Sequence, residues 1–260
     1  MKMLGVVGPD AAALLDRLAP ALDGRVAAVE SLERTTGSAG RPFAATFDLA
    51  TDGTWSGAGE DGSLSDLLDS LAPAYDYALL SGFPDADVPT VALGDAEARD
   101  VRYRAPDVDA VVVEDVLDAL ADVEPHVTLE TLVRRVKASP RAERAGAIAT
   151  FTGRVRSKDA EGDPRTTKLE FEKYEGVAEA RMEAIERELA ARDGVQEVVM
   201  FHRTGLIGEG EDIVFVVVLA GHREEAFRAV EDGINRLKDE VPIFKKETTV
   251  DEEFWVHDRT

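Results

Sequence analysis

The chain has 260 residues, 44% of them hydrophobic, and a formal net charge of -22. That length is comfortable for two domains, and the apolar content excludes wholesale disorder. Residues 1–140 hold 25 acids against 11 bases and residues 141–260 hold 27 against 19, so the acidity is a property of the whole surface rather than of a tail.

Such a surface repels nucleic-acid phosphates and is a pattern associated with halophiles. There is no cysteine, which removes disulfides, thiolate nucleophiles and cysteine-rich metal sites together. His126, His202, His222 and His257 show no short metal-ligand spacing, and no structural zinc site is expected. The longest apolar run, "IVFVVVLA" at 213–220, is far shorter than the roughly 20 residues that span a bilayer. "MKMLGVVGPD" reaches Asp10 before a signal core accumulates. A cytoplasmic protein is expected, with neither nucleic acid nor membrane as partner.

In chain order, "MKMLGVVG" reads as a buried strand and "PDAAALLDRLAPAL" as an amphipathic helix with Pro9 at its first turn. "RVAAVESL" is a second strand, "LSDLLDSLAP" a helix, "YDYALLSG" a fully buried strand and "VPTVALGD" another. "DVDAVVVEDVLDALADV" is read as a last strand or turn and a helix. This alternation predicts an α/β domain with a small parallel sheet over residues 1–122. Its Gly/Thr/Ser-rich stretch from Thr35 to Ser63 is the least ordered-looking part.

The texture changes at "DVEPHV". "TLETLVRRVKASP" is a helix opened by Thr128 and stopped by Pro140. "AGAIATFTGRVR" and "TKLEFEKY" are strands around a charged loop, and "EGVAEARMEAIERELAAR" is a helix. "VQEVVMFHRTG" and "DIVFVVVLAGH" are strands about a Gly-rich turn, "REEAFRAVEDGINRLKDEV" is a helix, and "EFWVHD" is a closing strand. Residues 126–260 are therefore predicted to form an α+β domain with a mostly antiparallel sheet.

The first strand-to-helix turn is where a phosphate-binding loop would sit, but Gly5–Ala13 has no Gly-Lys-Ser/Thr, Pro9 lacks an N–H and Asp10 opposes an anion. An ordinary turn is the stronger reading. The second half gathers its cations differently. Arg154, Arg156 and Lys158, then His222 and Arg223, then Arg236 and Lys238, then Lys245, Lys246 and Glu247 fall where strand ends meet helix ends. Arg154 and Arg156 are two apart in a strand and share a face. His222 and Arg223 open a helix, whose N-terminus favours anions. Lys238 closes that helix, and Pro242 turns the chain before Lys245. Taken singly, each is an ordinary surface charge. Converging, they would make a positive pocket for a phosphorylated small molecule or a carboxylate tail.

"ATFTGRVRSK", "LEFEKYEGVAEARMEAI", "VQEVVMFHRTGLIGEGEDIVFVVVLAGHREEAF" and "INRLKDEVPIFKKE" closely resemble the catalytic (large) subunit of molybdopterin synthase, the MoaE family, from about Thr128 to His257. "LGVVG", "YDYALLSGF" and "DAVVVEDVLDAL" are similar to the MobB-type protein of molybdopterin-guanine dinucleotide synthesis, with the phosphate loop degenerate. The resemblance implies an α/β hammerhead fold for the second half. It also implies an enzyme of molybdenum cofactor biosynthesis that turns cyclic pyranopterin monophosphate into the dithiolene of molybdopterin. The sulfur would come from the thiocarboxylated C-terminal glycine of a small ubiquitin-like partner, and no resident cofactor is implied. Carried over by position, Arg154, Val155, Arg156, His222, Arg223, Lys246 and Glu247 would bind substrate, and Lys238 and Lys245 would carry the chemistry. A lysine beside other cations can act as base or nucleophile, and either role, or stabilisation of developing charge, stays open for Lys238. The family's large subunits form a homodimer within a heterotetramer and contribute pocket residues to each other. A rival reading keeps the chain as a docking or lysine-acceptor protein for the ubiquitin-like partner, without pterin turnover.

Overall fold

The computed structural model describes residues 1–32, 45–59, 62–158, 160–174, 176–250 and 253–256. It divides into units Met1–Thr128 and Leu129–Thr260.

In the first unit, β1 (Lys2–Val7) is the buried "KMLGVV" run. α1 (Ala11–Leu18) follows and buries Leu14, Leu15 and Leu18 along one stripe. After β2 (Val26–Glu30), the strands β3 (Ala45–Leu49) and β4 (Trp55–Gly59) pair only with each other among the described residues. α2 (Leu64–Leu71) starts from a capping box in which Ser63 Oγ accepts the Asp66 N–H at 3.1 Å. β5 (Tyr77–Ser81), β6 (Thr90–Leu93), β7 (Val101–Ala105) and α3 (Val113–Ala121) complete the unit. The parallel sheet runs β2-β5-β1-β6-β7, as the alternation of elements predicts.

Of the two readings of "DVDAVVV", strand or turn, the structure has the turn, and "VVV" enters α3. The last strand is β7, which the sequence reading lacked; its "VRYRA" alternates inward Val101, Tyr103 and Ala105 with outward arginines. As the edge of the sheet it needs only one apolar face, which hid it. Residues 33–44 and 60–61 of the Thr35–Ser63 stretch lie outside the described residues, and 45–59 form a hairpin. The division between the two units falls after Thr128. The N-terminal ammonium donates to the His126 carbonyl at 3.0 Å, and His126 Nε2 pairs with Asp69 at 2.7 Å, tying this stretch to the first unit.

The turn after β1 packs closely on β6. Gly8 has φ +112°, and a Cβ there would lie 2.4 Å from the Leu93 carbonyl oxygen. Asp10 follows in the left-handed region (φ 57°) as the N-cap of α1, without a side-chain capping bond.

In the second unit, α4 (Leu129–Lys137) leads into β8 (Ala147–Arg154) and β9 (Thr166–Lys173). α5 (Val177–Ala190), β10 (Val195–His202), β11 (Gly205–Gly208) and β12 (Asp212–Ala220) follow. α6 (Arg223–Glu240), β13 (Ile243–Thr249) and β14 (Glu253–Val256) finish the chain's described part. The two sheets, β10-β12-β8 and β11-β9-β13-β14, are antiparallel throughout. Central strand β12 is buried on both faces, which explains its unbroken apolar run. α5 contributes Met182, Ile185 and Leu189 to the core, and α6 contributes Ala229, Ile234 and Leu237.

Two strands were not foreseen. β11 leaves the sheet of β10 to pair with β9, so the Gly-rich turn is a sheet-to-sheet crossover. β13 begins directly after Pro242, so Ile243 and Phe244 already belong to the strand that carries Lys245.

Candidate active site

The second unit holds a cleft of about 1300 Å³ where the end of α6, the strand β13 and the exit of β8 face one another. Each wall follows from local sequence. At the end of α6, Leu237 and Val241 belong to the core and also line the cleft, beside the polar Asn235, Lys238 and Asp239. In β13 the two-residue period puts Ile243, Lys245, Glu247 and Thr249 on the cleft side. Lys245 Nζ lies 3.6 Å from Glu247 Oε2, and the Thr166 hydroxyl donates to Glu247 Oε1 at 2.5 Å.

The same period turns Lys246 away. It sits 3.7 Å from Glu170 and 5.8 Å from the Trp255 ring centroid, and does not line the cleft. Val155 is buried and acts through its backbone: its N–H donates to Glu211 and its carbonyl accepts from Gly210. On either side of it, Arg154 and Arg156 both line the cleft. Arg154 Nε donates to the Gly210 carbonyl at 3.0 Å and lies 3.3 Å from Asp212.

His222 and Arg223 are not brought here. They open α6 while Lys238 closes it, and fifteen residues of helix separate Arg223 from Lys238 by about 22 Å. The four cationic stretches therefore do not converge within one chain. A further correction concerns charge. Lining residues Arg154, Arg156, Lys238 and Lys245 stand against Asp163, Asp239 and Glu247, four cations to three carboxylates among the described residues. The cleft is a mixed site with a small positive excess, not a purely basic one.

Several lining residues were missed. His202 is buried at the end of β10, with the Phe171 ring edge-on at 4.9 Å. Its Nδ1–H donates to the Arg203 carbonyl at 2.7 Å, because a carbonyl can only accept. Thr166 supports Glu247 from the neighbouring strand. A buried histidine in the otherwise apolar "VVMFH" strand was the available signal for His202; Thr166 had none.

The loop between β8 and β9, which brings Asp163 and Pro164 to the cleft, is clamped at its base. The Thr166 N–H donates to Ser157 O at 2.8 Å, while the Glu209 carboxylate takes bonds from Arg165 Nε and Nη2 and from the Ser157 hydroxyl. Those bonds, Arg165 first, hold the Glu209 carboxyl below its ordinary value. Among the described residues no group of three or more His, Cys, Asp or Glu side chains could hold a metal.

The family model described as "MoaE protein" matches residues 124–240. A Haloferax volcanii protein described as a probable molybdopterin synthase is 61% identical over 264 residues, covering all of both chains. The molybdopterin synthase catalytic subunit of Yersinia pestis is 38% identical over 114 residues, which cover 44% of this chain and 74% of that protein. The solved molybdopterin synthase from Staphylococcus aureus aligns at 32% identity and TM-score 0.45, over 52% of this chain and 93% of that one.

Proposed function

The chain belongs to the MoaE family, and on that premise we propose the roles of its residues in molybdopterin synthesis. It is a molybdopterin synthase, an enzyme of molybdenum cofactor biosynthesis. Sulfur passes from the thiocarboxylated C-terminal glycine of a small ubiquitin-like partner to cyclic pyranopterin monophosphate, giving the dithiolene.

One observation carries the residue assignment: Lys238 from α6 and Lys245 from β13 line the same cleft, beside Arg154 and Arg156. The reaction brings two anions together, a substrate phosphate and a thiocarboxylate, and their repulsion is offset only by fixed cations close by. Arg154 and Arg156 hold the phosphate. Lys238 and Lys245 meet the reacting atoms, and Glu247 orients Lys245 from 3.6 Å. His222 and Arg223, a helix length away, serve the cleft of a second copy in a homodimer. Lys246 supports the strand that carries Lys245, through Glu170 and Trp255.

No helix of the described residues is long and apolar enough to cross a membrane. The first unit is a docking or scaffold module. Sulfur transfer to the pyranopterin by the purified chain and its thiocarboxylated partner tests the reading. Product should form with the native chain and fail with Lys238→Ala. Equal product from both would overturn the lysine assignment.

A further inference from the structure

α6 ends on Glu240, and a carboxylate at a helix C-terminus faces the partial negative charge of unsatisfied carbonyls. The sequence places it there against a local preference, which makes the site worth explaining. The structure supplies what offsets it. The Glu240 carboxylate accepts from two guanidinium groups, Arg181 on α5 and Arg236 one turn earlier on α6, the latter at 2.8 Å from Nε. Arg236 also donates to Glu188 of α5 at 2.6 Å. Two cations and two carboxylates thus bolt the last turn of α6 to α5. Arg236 and Glu240 are 22% and 28% exposed, against 38% for Arg181 and 56% for Glu188, so the Arg236–Glu240 pair is the part of the network that solvent screens least.

Lys238 lies midway between Arg236 and Glu240. A two-residue step turns a helix by about 200°, so the lysine projects from the side opposite the bolt. That side is the cleft. Beyond it only Val241 and Pro242 separate α6 from β13, where Lys245 sits. The seating of the last turn on α5 therefore sets where Lys238 stands relative to Lys245.

We propose that Glu240, gripped by Arg181 and Arg236, is a positioning residue for Lys238. It fixes the final turn of α6 so that the lysine is presented to Lys245 and the substrate. This rests on the reading of Lys238 as a group that acts on substrate. A displacement of about 1 Å in such a group costs up to a hundredfold in rate, so the effect should fall on turnover rather than on capture.

The test measures kcat and KM for the pterin with the full chain and its thiocarboxylated partner. Glu240→Leu, which removes every acceptor while keeping a good helix former, should lower kcat about tenfold with KM within twofold. Glu240→Gln, which keeps one acceptor, should fall between it and the native chain. Faster hydrogen exchange at the Val241 and Ile243 amides, which donate to Leu237 O and Val241 O, should accompany the loss. Full turnover by folded Glu240→Leu would overturn the proposal. Should that variant not fold, Glu240→Gln and Arg181→Gln each remove part of the grip, and unchanged kcat in both would overturn it equally. Lys238→Ala is measured alongside: near-native turnover there would sink the underlying lysine reading instead.

Discussion

Lys245 and Glu247 share one face of β13, with Nζ 3.6 Å from Oε2, while Lys246 between them lies on the opposite face above Trp255. The strand's two-residue period separates two adjacent lysines into a cleft group and a supporting group. Lys245→Ala should therefore cut molybdopterin formation severely, and Lys238→Ala should abolish it. Lys238 is exposed and Lys245 half-exposed, so each change should alter stability by less than about 1 kcal/mol. Product assay with parallel thermal unfolding checks both. Lys246→Ala should be milder in turnover than either.

Arg223 lies about 22 Å from Lys238 along α6. If it serves a second copy, Arg223→Ala and Lys238→Ala are each defective alone but complement when mixed and reassembled. Mixed dimers should recover up to roughly a quarter of native activity, since half of the molecules are mixed and each restores one cleft. No recovery after verified subunit exchange would place Arg223 outside the site.

Arg156 lines the cleft as one of its four cations. Loss of a charge-assisted contact to a phosphate is worth on the order of 1.5–3 kcal/mol. Arg156→Gln should therefore raise the Kd for the pterin about tenfold or more, read by calorimetry with the native partner. Unchanged affinity would move the phosphate elsewhere.

Two carboxyls give opposite pH behaviour. Glu209 is held below the ordinary 4.5, first by Arg165 and then by Ser157, so its clamp is fully present above that value and is lost as pH falls through the lower folded one. Proteolytic nicking of the loop after Ser157 should rise there, and Glu209→Gln should show it already at pH 7. Glu186 is pushed above 4.5 by burial, although its carboxylate accepts the Met200 N–H at 2.6 Å. A raised carboxyl makes the fold lose stability as pH climbs from 4.5 through the higher folded value. Glu186→Gln keeps an acceptor without the buried charge. Its Tm should exceed the native one by a few degrees at pH 7 and match it below about pH 4. A lower Tm at pH 7 would mean that attraction to Arg135 outweighs burial.

The turn after β1 lacks the Gly-Lys-Ser/Thr of a phosphate loop. Gly8 is pressed against Leu93 O, Pro9 has no N–H, and Asp10 stands at the helix start. Titration of the full chain with GTP or ATP should show no binding at physiological concentrations. Residues 129–260 form a unit with their own core, and expressed alone they should fold and keep sulfur transfer. Micromolar GTP affinity contradicts the first statement, and a folded but inactive fragment the second.

Much of this was legible in the chain itself. Periodicity gave the parallel first unit, the antiparallel second unit, and α6 with Lys238 at its end, because each rests on which residues must leave water. The residue blocks around Arg154, Lys238 and Lys245 carried the family. Assembly was not legible. Whether "PIFKKETT" is a turn or a strand depends on β9 being free to pair with it, a contact some eighty residues distant in sequence. That pairing sends Lys245 inward and Lys246 outward. That His222 opens and Lys238 closes one helix was legible, and a rise of about 1.5 Å per residue already sets them a helix length apart; what local pattern could not reveal is that Glu240 is tolerated at a C-terminus because two arginines reach it. Periodicity reports which face of an element is buried; only the docking of elements decides which side chains meet across a cleft.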